Sequence, residues 1–181
     1  MKSSMYILMT GIFLFLFVTI SSSSVYAEGE WTEWIVDNFN GKITKPVTNF
    51  SVSIAELQVR EQSGYGLINL RIRYEKTPGR LTWTKWATHN MRGTRKVVKI
   101  PRGGEVVGIQ VREQSGYGLV DARLYYKAGQ RFGWTSWVTK NQRGRVAQQM
   151  CQDGSYGKSM RVKEQSGYGI VNLQMYCEWP N

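Results

Sequence analysis

The chain has 181 residues, a formal net charge of +11 from 24 Lys and Arg against 13 Asp and Glu, one histidine and two cysteines. A Ser–His or Cys–His mechanism would have to use His89, and no His/Cys/Asp cluster has metal-ligand spacing, so neither a metal nor a cofactor is expected. The basic balance favours anionic partners, though it ranks them only loosely.

Taken in order, the chain opens with Lys2, an apolar run from Tyr6 to Ile20, four serines and Val25-Tyr26-Ala27. A positive start, a short apolar middle and a small-residue end read as a secretory signal peptide over residues 1–27. The run is short for a membrane span, no polybasic stop-transfer segment follows, and no later stretch is apolar enough to cross a bilayer. Residues 28–181 are then a single domain, expected to be secreted. Export argues against nucleic acid as a partner. Sulfated or sialylated glycans, anionic lipid and acidic matrix proteins remain. It also places Cys151 and Cys177 where pairing is the default.

Two phrases recur along the rest of the chain. Glu-Gln-Ser-Gly-Tyr-Gly occurs at Glu61–Gly66, Glu113–Gly118 and Glu164–Gly169, and Trp-Thr-x-Trp at Trp31–Trp34, Trp83–Trp86 and Trp134–Trp137. Both keep one period, which marks a repeated supersecondary unit with copies at about 28–79, 80–130 and 131–181. In the second copy Leu81–Thr88 and Thr94–Ile100 read as strands, the latter closed by the turn signal Pro101-Arg102-Gly103-Gly104. Val107, Ile109 and Val111 alternate with polar or small residues, and Val120, Ala122, Leu124 and Tyr126 take one face with Asp121, Arg123 and Tyr125 on the other. The first copy puts Ile68, Leu70, Ile72 and Tyr74 inside and Asn69, Arg71 and Arg73 outside; the third puts Val171, Leu173, Met175 and Cys177 inside. No sustained helical periodicity appears. Three units of about four strands are too few for a propeller, and leave a β-prism or a β-trefoil. Shifted back one period, Cys151 and Cys177 fall on Ile100 and Tyr126, so a disulfide takes the place of an apolar pair in the last copy.

The succession Trp134-Thr-Ser-Trp137, Cys151, Gly154, Lys163-Glu164, Gly167-Tyr-Gly169, Val171-Asn172, Cys177 resembles the vitelline membrane outer layer proteins. The resemblance runs over the whole of 28–181 as a pattern, without long identical runs. It implies a β-prism of three Greek-key, four-stranded sheets with pseudo-threefold symmetry. It also implies secretion into an extracellular coat and a possible handling of amino-sugar oligosaccharides. The chain departs from the family in lacking an acidic Asp-Asp-Thr stretch after its glycines and most of the family's disulfides. An activity tied to that loop does not carry over.

The repeated phrases have two readings each. The Glu-Gln-Ser-Gly-Tyr-Gly segments are hairpin loops whose glycines supply positive φ or a bulge. Their Glu61, Glu113 and Glu164, Gln62, Gln114 and Gln165, and Tyr65, Tyr117 and Tyr168 either brace the loop or bind a ligand. In the second case tyrosines stack on sugar rings while Glu and Gln bond hydroxyls. On a strand, positions i and i+3 face opposite ways, so one Trp of each pair is expected in the core and its mate exposed as an aromatic platform. Trp-x-x-Trp also matches the acceptor pattern for C-mannosylation, at Trp31, Trp83 and Trp134. It further suggests thrombospondin type 1 modules, a fold excluded by the missing disulfides. Asn49-Phe50-Ser51 is an N-glycosylation sequon. Arg92, Arg95, Lys96, Lys99 and Arg102 form the densest basic run, split between two strand faces, and read as a solvated edge, with a heparin-like contact as the alternative. Three copies of one Glu give equal environments, whereas glycoside chemistry wants two unequal carboxylates.

These features point to a secreted, multivalent, lectin-like component of an extracellular coat, mucus or matrix, with coat or matrix proteins and carbohydrate, neutral or anionic, as partners. No enzymatic activity is expected. A passive structural coat protein and a basic host-defence or membrane-active protein are the alternatives.

Overall fold

The computed structural model describes residues 29–45, 47–48, 53–77 and 79–180. The expected signal peptide and Asn49 lie outside them. All regular structure among the described residues is β. The short strands β1 (Glu30–Trp31), β2 (Lys42–Ile43) and β3 (Val47–Thr48) come first. Next are β4 (Ile54–Gln62), β5 (Gly66–Thr77), β6 (Arg80–Trp83) and β7 (Thr94–Lys99), then β8 (Glu105–Gln114), β9 (Gly118–Ala128), β10 (Arg131–Trp134) and β11 (Arg145–Met150), and last β12 (Tyr156–Gln165) and β13 (Gly169–Glu178).

These form three antiparallel sheets. The first has the order β6-β5-β4-β7 and the second β10-β9-β8-β11; in both, the last strand returns to lie beside the first, a Greek key. The third repeats the order as β1-β13-β12-β2, with β3 also on β12, and is built from both ends of the described chain. The fold is the expected β-prism. Each sheet takes its long hairpin from one sequence repeat and its Trp-bearing strand from the next, so Trp83 pairs with Arg73, Trp134 with Tyr125 and Trp31 with Tyr176.

Strand alternation sets the core. Leu57, Val59, Leu70 and Ile72 of the first sheet meet Ile109, Val111, Ala122 and Leu124 of the second and Met160, Val162, Leu173 and Met175 of the third, all buried in one cluster. At the turn end of each hairpin the ladder slips by one residue, between Arg60 and Glu61, Arg112 and Glu113, and Lys163 and Glu164. That bulge leaves Ile68, Val120 and Val171 without a cross-strand partner and buries them together with Leu67, Leu119 and Ile170.

Two expectations need correcting. Asn69 and Asp121, placed on the solvent face by alternation, are buried, as is Asn172 at the same position of the third copy. The strand Leu81–Thr88 also stops at Trp83. Beyond it the Thr84 hydroxyl takes a ladder position: it accepts from Ile72 N and donates to Ile72 O, both at 3.2 Å, while Ala87 N reaches Leu70 O. Thr135 and Thr32 accept from Leu124 N and Met175 N in the same way. This explains the threonine of Trp-Thr-x-Trp. The chain leaves regular pairing between the two tryptophans, so both stay on the outer side of the sheet.

Cys151 and Cys177 are disulfide-bonded, with Cα atoms 5.6 Å apart, and join the end of β11 in the second sheet to β13 in the third. The bond closes a sequence separation of 26 residues. By the loop-entropy account, replacing both cysteines by alanine lowers unfolding free energy by about 3.5 kcal/mol. Denaturant midpoints of the oxidised protein and the double variant check this.

Candidate functional site

The three Glu-Gln-Ser-Gly-Tyr-Gly loops have one geometry. Tyr65 N donates to Gln62 O, Tyr117 N to Gln114 O and Tyr168 N to Gln165 O, at 2.9–3.0 Å, closing a tight turn across Ser and Gly. Gly64, Gly116 and Gly167 sit at φ near +80°, which the turn requires. The next glycines answer to a different demand. A Cβ on Gly66 would lie 2.6 Å from Leu119 O, on Gly118 2.6 Å from Ile170 O, and on Gly169 2.6 Å from Leu67 O. Each hairpin base thus presses on the next around a threefold axis. The turns gather at one end of the prism.

This arrangement leaves clefts between neighbouring turns. One, of about 580 Å³, sets Gln165 and Tyr168 across from Glu113, Gln114 and Ser115, with Asn38 and Asn40 at its side. Another, of about 450 Å³, sets Gln62 and Tyr65 across from Glu164, Gln165 and Ser166, with Asn90 and Arg92 alongside. In both, the tyrosine of one loop faces the Glu-Gln-Ser of the next. The three tyrosines are equally exposed, at 41%, 38% and 39%. The glutamates are less alike. Glu113 accepts from Arg145 at 3.2 Å, while the cross-strand neighbours of Glu61 and Glu164 are Thr94 and Lys42.

A third repeated phrase, not singled out in the sequence, builds the cleft walls: Asn38–Gly41, Asn90–Gly93 and Asn141–Gly144. In each copy the Asn side chain accepts from the backbone N–H two residues on, at 3.0–3.1 Å. The loop is held from beneath by the buried residue of the hairpin. Asn69 donates to Thr88 O and Asn90 O and accepts from Leu70 N and Thr88 N; Asn172 donates to Val36 O and Asn38 O. A cation holds the same loop from the outside: Arg60 donates to Met91 O, Arg112 to Gln142 O and Lys163 to Phe39 O.

The tryptophans hold those cations and more. Arg60 lies over Trp86, Arg112 over Trp137 and Lys163 over Trp34, at 4.5–5.1 Å. A second guanidinium sits between each pair: Arg71 between Trp83 and Trp86, Arg123 between Trp134 and Trp137, Arg161 between Trp31 and Trp34, at 4.3–5.6 Å. All six tryptophans of the Trp-Thr-x-Trp phrases are half-buried on the outer faces, and none joins the buried core cluster. The expected division into one core and one exposed Trp does not occur. Burial lowers the proton affinity of Arg71, Arg123 and Arg161 below the usual guanidinium value without discharging them.

Each central guanidinium also donates through Nε to a glutamine, Arg71 to Gln58, Arg123 to Gln110 and Arg161 to Gln174, at 2.7–2.8 Å. In the third sheet the pair is exchanged across the strands. Arg161 lies on β12 and Gln174 on β13, whereas Gln58 and Gln110 lie on β4 and β8. The ladder needs the guanidinium between the rings and accepts it from either strand.

Asp121 breaks the buried-amide pattern. Its Oδ1 accepts from Ala122 N and Thr139 N, but Oδ2, where its siblings carry an NH₂, is buried with no hydrogen-bond partner. Burial pushes its carboxyl above the ordinary carboxylate range, against the opposing N–H donors and Arg112. Among the described residues no three His, Cys, Asp or Glu side chains come together as a metal site requires.

No protein-family model matches the chain, and no curated protein matches its sequence. Solved structures do. An agglutinin of Calystegia sepium shares 12% identity at a TM-score of 0.62, covering 84% of this chain and 98% of its own. Single-chain recombinant jacalin gives 12% and 0.59, over 86% and 98%. A prostate-specific WGA16 glycoprotein lectin gives 14% and 0.58, over 85% and 94%. The neighbours are jacalin-related lectins, and the likeness establishes the β-prism fold. It does not single out the vitelline membrane outer layer proteins.

Two outcomes follow. In the folded state Asp121 holds its proton more tightly than in the unfolded chain, so its cost is absent below about pH 4 and grows as pH rises through the raised value. Asp121→Asn, which restores the amide, is expected to stabilise the protein by about 1–3 kcal/mol at neutral pH, a gain that vanishes in acid; unfolding curves from pH 3 to 8 check it. Arg71→Gln is expected to cost about 1–2 kcal/mol, and adding Gln58→Arg to recover most of it, as measured in a double-mutant cycle.

Proposed function

We propose that the chain is a carbohydrate-binding protein that takes sugars in the clefts between its tyrosine turns, without turnover. The equal setting of Tyr65, Tyr117 and Tyr168 around one axis carries this reading. A half-exposed ring supplies an apolar face for a pyranose, and the Gln and Ser of the neighbouring loop supply donors and acceptors for hydroxyls. The cleft volumes fall within the usual range for small-molecule sites. Similar structures are titled as lectins, one of them a mannose-binding jacalin-related lectin from Ananas comosus and another Calsepa lectin in complex with a bisected glycan.

Two clefts and a third tyrosine turn of the same geometry on one end of a small domain suit a branched or surface-bound glycan, where linkage raises avidity by about 10²–10⁴ over a single site. In this reading the protein is exported and works in an extracellular coat, mucus or matrix, among coat proteins. The disulfide is compatible with that setting.

On a glycan array the oxidised protein is expected to bind a defined set of oligosaccharides. The triple variant Tyr65→Ala, Tyr117→Ala, Tyr168→Ala is expected to lose that signal while keeping its melting temperature within a few degrees, because the rings lie outside the core. An array signal unchanged in the folded triple variant would remove the clefts as the site, and product release from chito-oligosaccharides would contradict binding without turnover.

A further inference from the structure

The three repeats serve as internal controls for one another, and on the outer faces of the sheets they differ. Two positions that are uncharged in the second and third copies, and one that is uncharged in the second, are cationic in the first sheet. Arg95, opposite Arg60, corresponds to Val146 opposite Arg112 and Ile43 opposite Lys163. Lys99, opposite Glu56, corresponds to Met150 opposite Gly108. Arg73 stands where the other copies have Tyr125 and Tyr176. Strand alternation brings Arg60, Arg71, Arg73, Arg95 and Lys99 onto a single face.

Little on that face neutralises them. Glu56, with its side chain only 6% exposed, receives both Arg73 at 3.2 Å and Lys99 at 3.3 Å, and Glu75 accepts from Gly79 N. Arg60 is committed to the carbonyls of the Asn90–Gly93 loop. Arg95 and Lys99 stay exposed, four residues and about 13 Å apart along β7. Like charge from Arg95 and Arg60 adds to burial in lowering the proton affinity of Arg71, whereas Arg161 at the ladder position of the third sheet has burial alone.

We propose that this face, formed by β4, β5 and β7, is a second binding site, separate from the clefts, for a linear sulfated polysaccharide. Guanidinium and ammonium groups spaced along a strand match sulfates repeated along a chain, and guanidinium binds such oxyanions in a bidentate manner. Single-stranded nucleic acid would need free aromatic platforms, and here the Trp83 and Trp86 rings are already covered by arginines. A lipid surface would need an apolar rim, and among the described residues of β4, β5 and β7 only Val97 is an exposed large hydrophobic.

The test uses heparin as probe and the oxidised wild-type protein, by column retention and by titration at low salt. Arg95→Gln with Lys99→Gln is expected to weaken heparin binding by at least roughly tenfold. Arg131→Gln with Lys140→Gln, an equal charge loss elsewhere on the surface, should leave it nearly unchanged. Equal weakening by both pairs would reduce the effect to net charge and overturn the site. Equal competition by single-stranded DNA or by phosphatidylserine vesicles would overturn its assignment to polysaccharide. The triple tyrosine variant should keep its heparin affinity, so failure here and failure of the cleft reading are told apart.

Discussion

The fold depends on a contact between backbones. Gly66, Gly118 and Gly169 each lie so close to a carbonyl of the next hairpin that no Cβ fits, and the contacts run in a ring. Three sheets can share one apolar core only if their hairpins converge at this end. Convergence in turn brings Tyr65 and Tyr168 beside the Glu-Gln-Ser of a neighbouring turn. Core and cleft therefore have a common origin. A side chain at any of the three glycines would open both, and the positive φ at each adds a second reason for glycine.

Outside the core, each sheet is held by a stack of cations and indole rings in place of a second apolar layer. These arginines lie over tryptophan, donate to a glutamine or to loop carbonyls, and keep part of their surface in water. Such contacts are individually worth about 1–2 kcal/mol when partly desolvated. Their effect on the clefts is positional. Trp86 fixes Arg60, Arg60 fixes the Met91 carbonyl, and the loop that carries Asn90 and Arg92 into the cleft is held in place.

Much of the architecture was legible because it repeats. Two phrases in one period gave the unit, alternation gave the inner residues of β5, β9 and β13, and the period shift gave the cysteine pair. The misreadings have one cause. Alternation assumes an unbroken ladder, and it fails where a side chain replaces a backbone partner. The Thr84 hydroxyl ends β6 early and so keeps both tryptophans on one side. The amide of Asn69 turns back onto a loop that sequence alone left as a polar break. The Asn-x-x-Gly repeat was within reach of the same period analysis, but its residues are common in turns. The exchange of Arg161 and Gln174 across strands hides the ladder from any column-by-column comparison of the copies.

The third sheet has a temporal consequence. Its members come from opposite ends of the described chain, since Glu30 lies beside Cys177 and Trp31 beside Tyr176. During synthesis the first two sheets have all their strands before β13 leaves the ribosome, while β1 waits for β13 and β2 and β3 wait for β12. Such long-range pairing is slow to form. Cys177 arrives within β13, so the covalent link to Cys151, which ties the second sheet to the third, cannot form until that strand has been made.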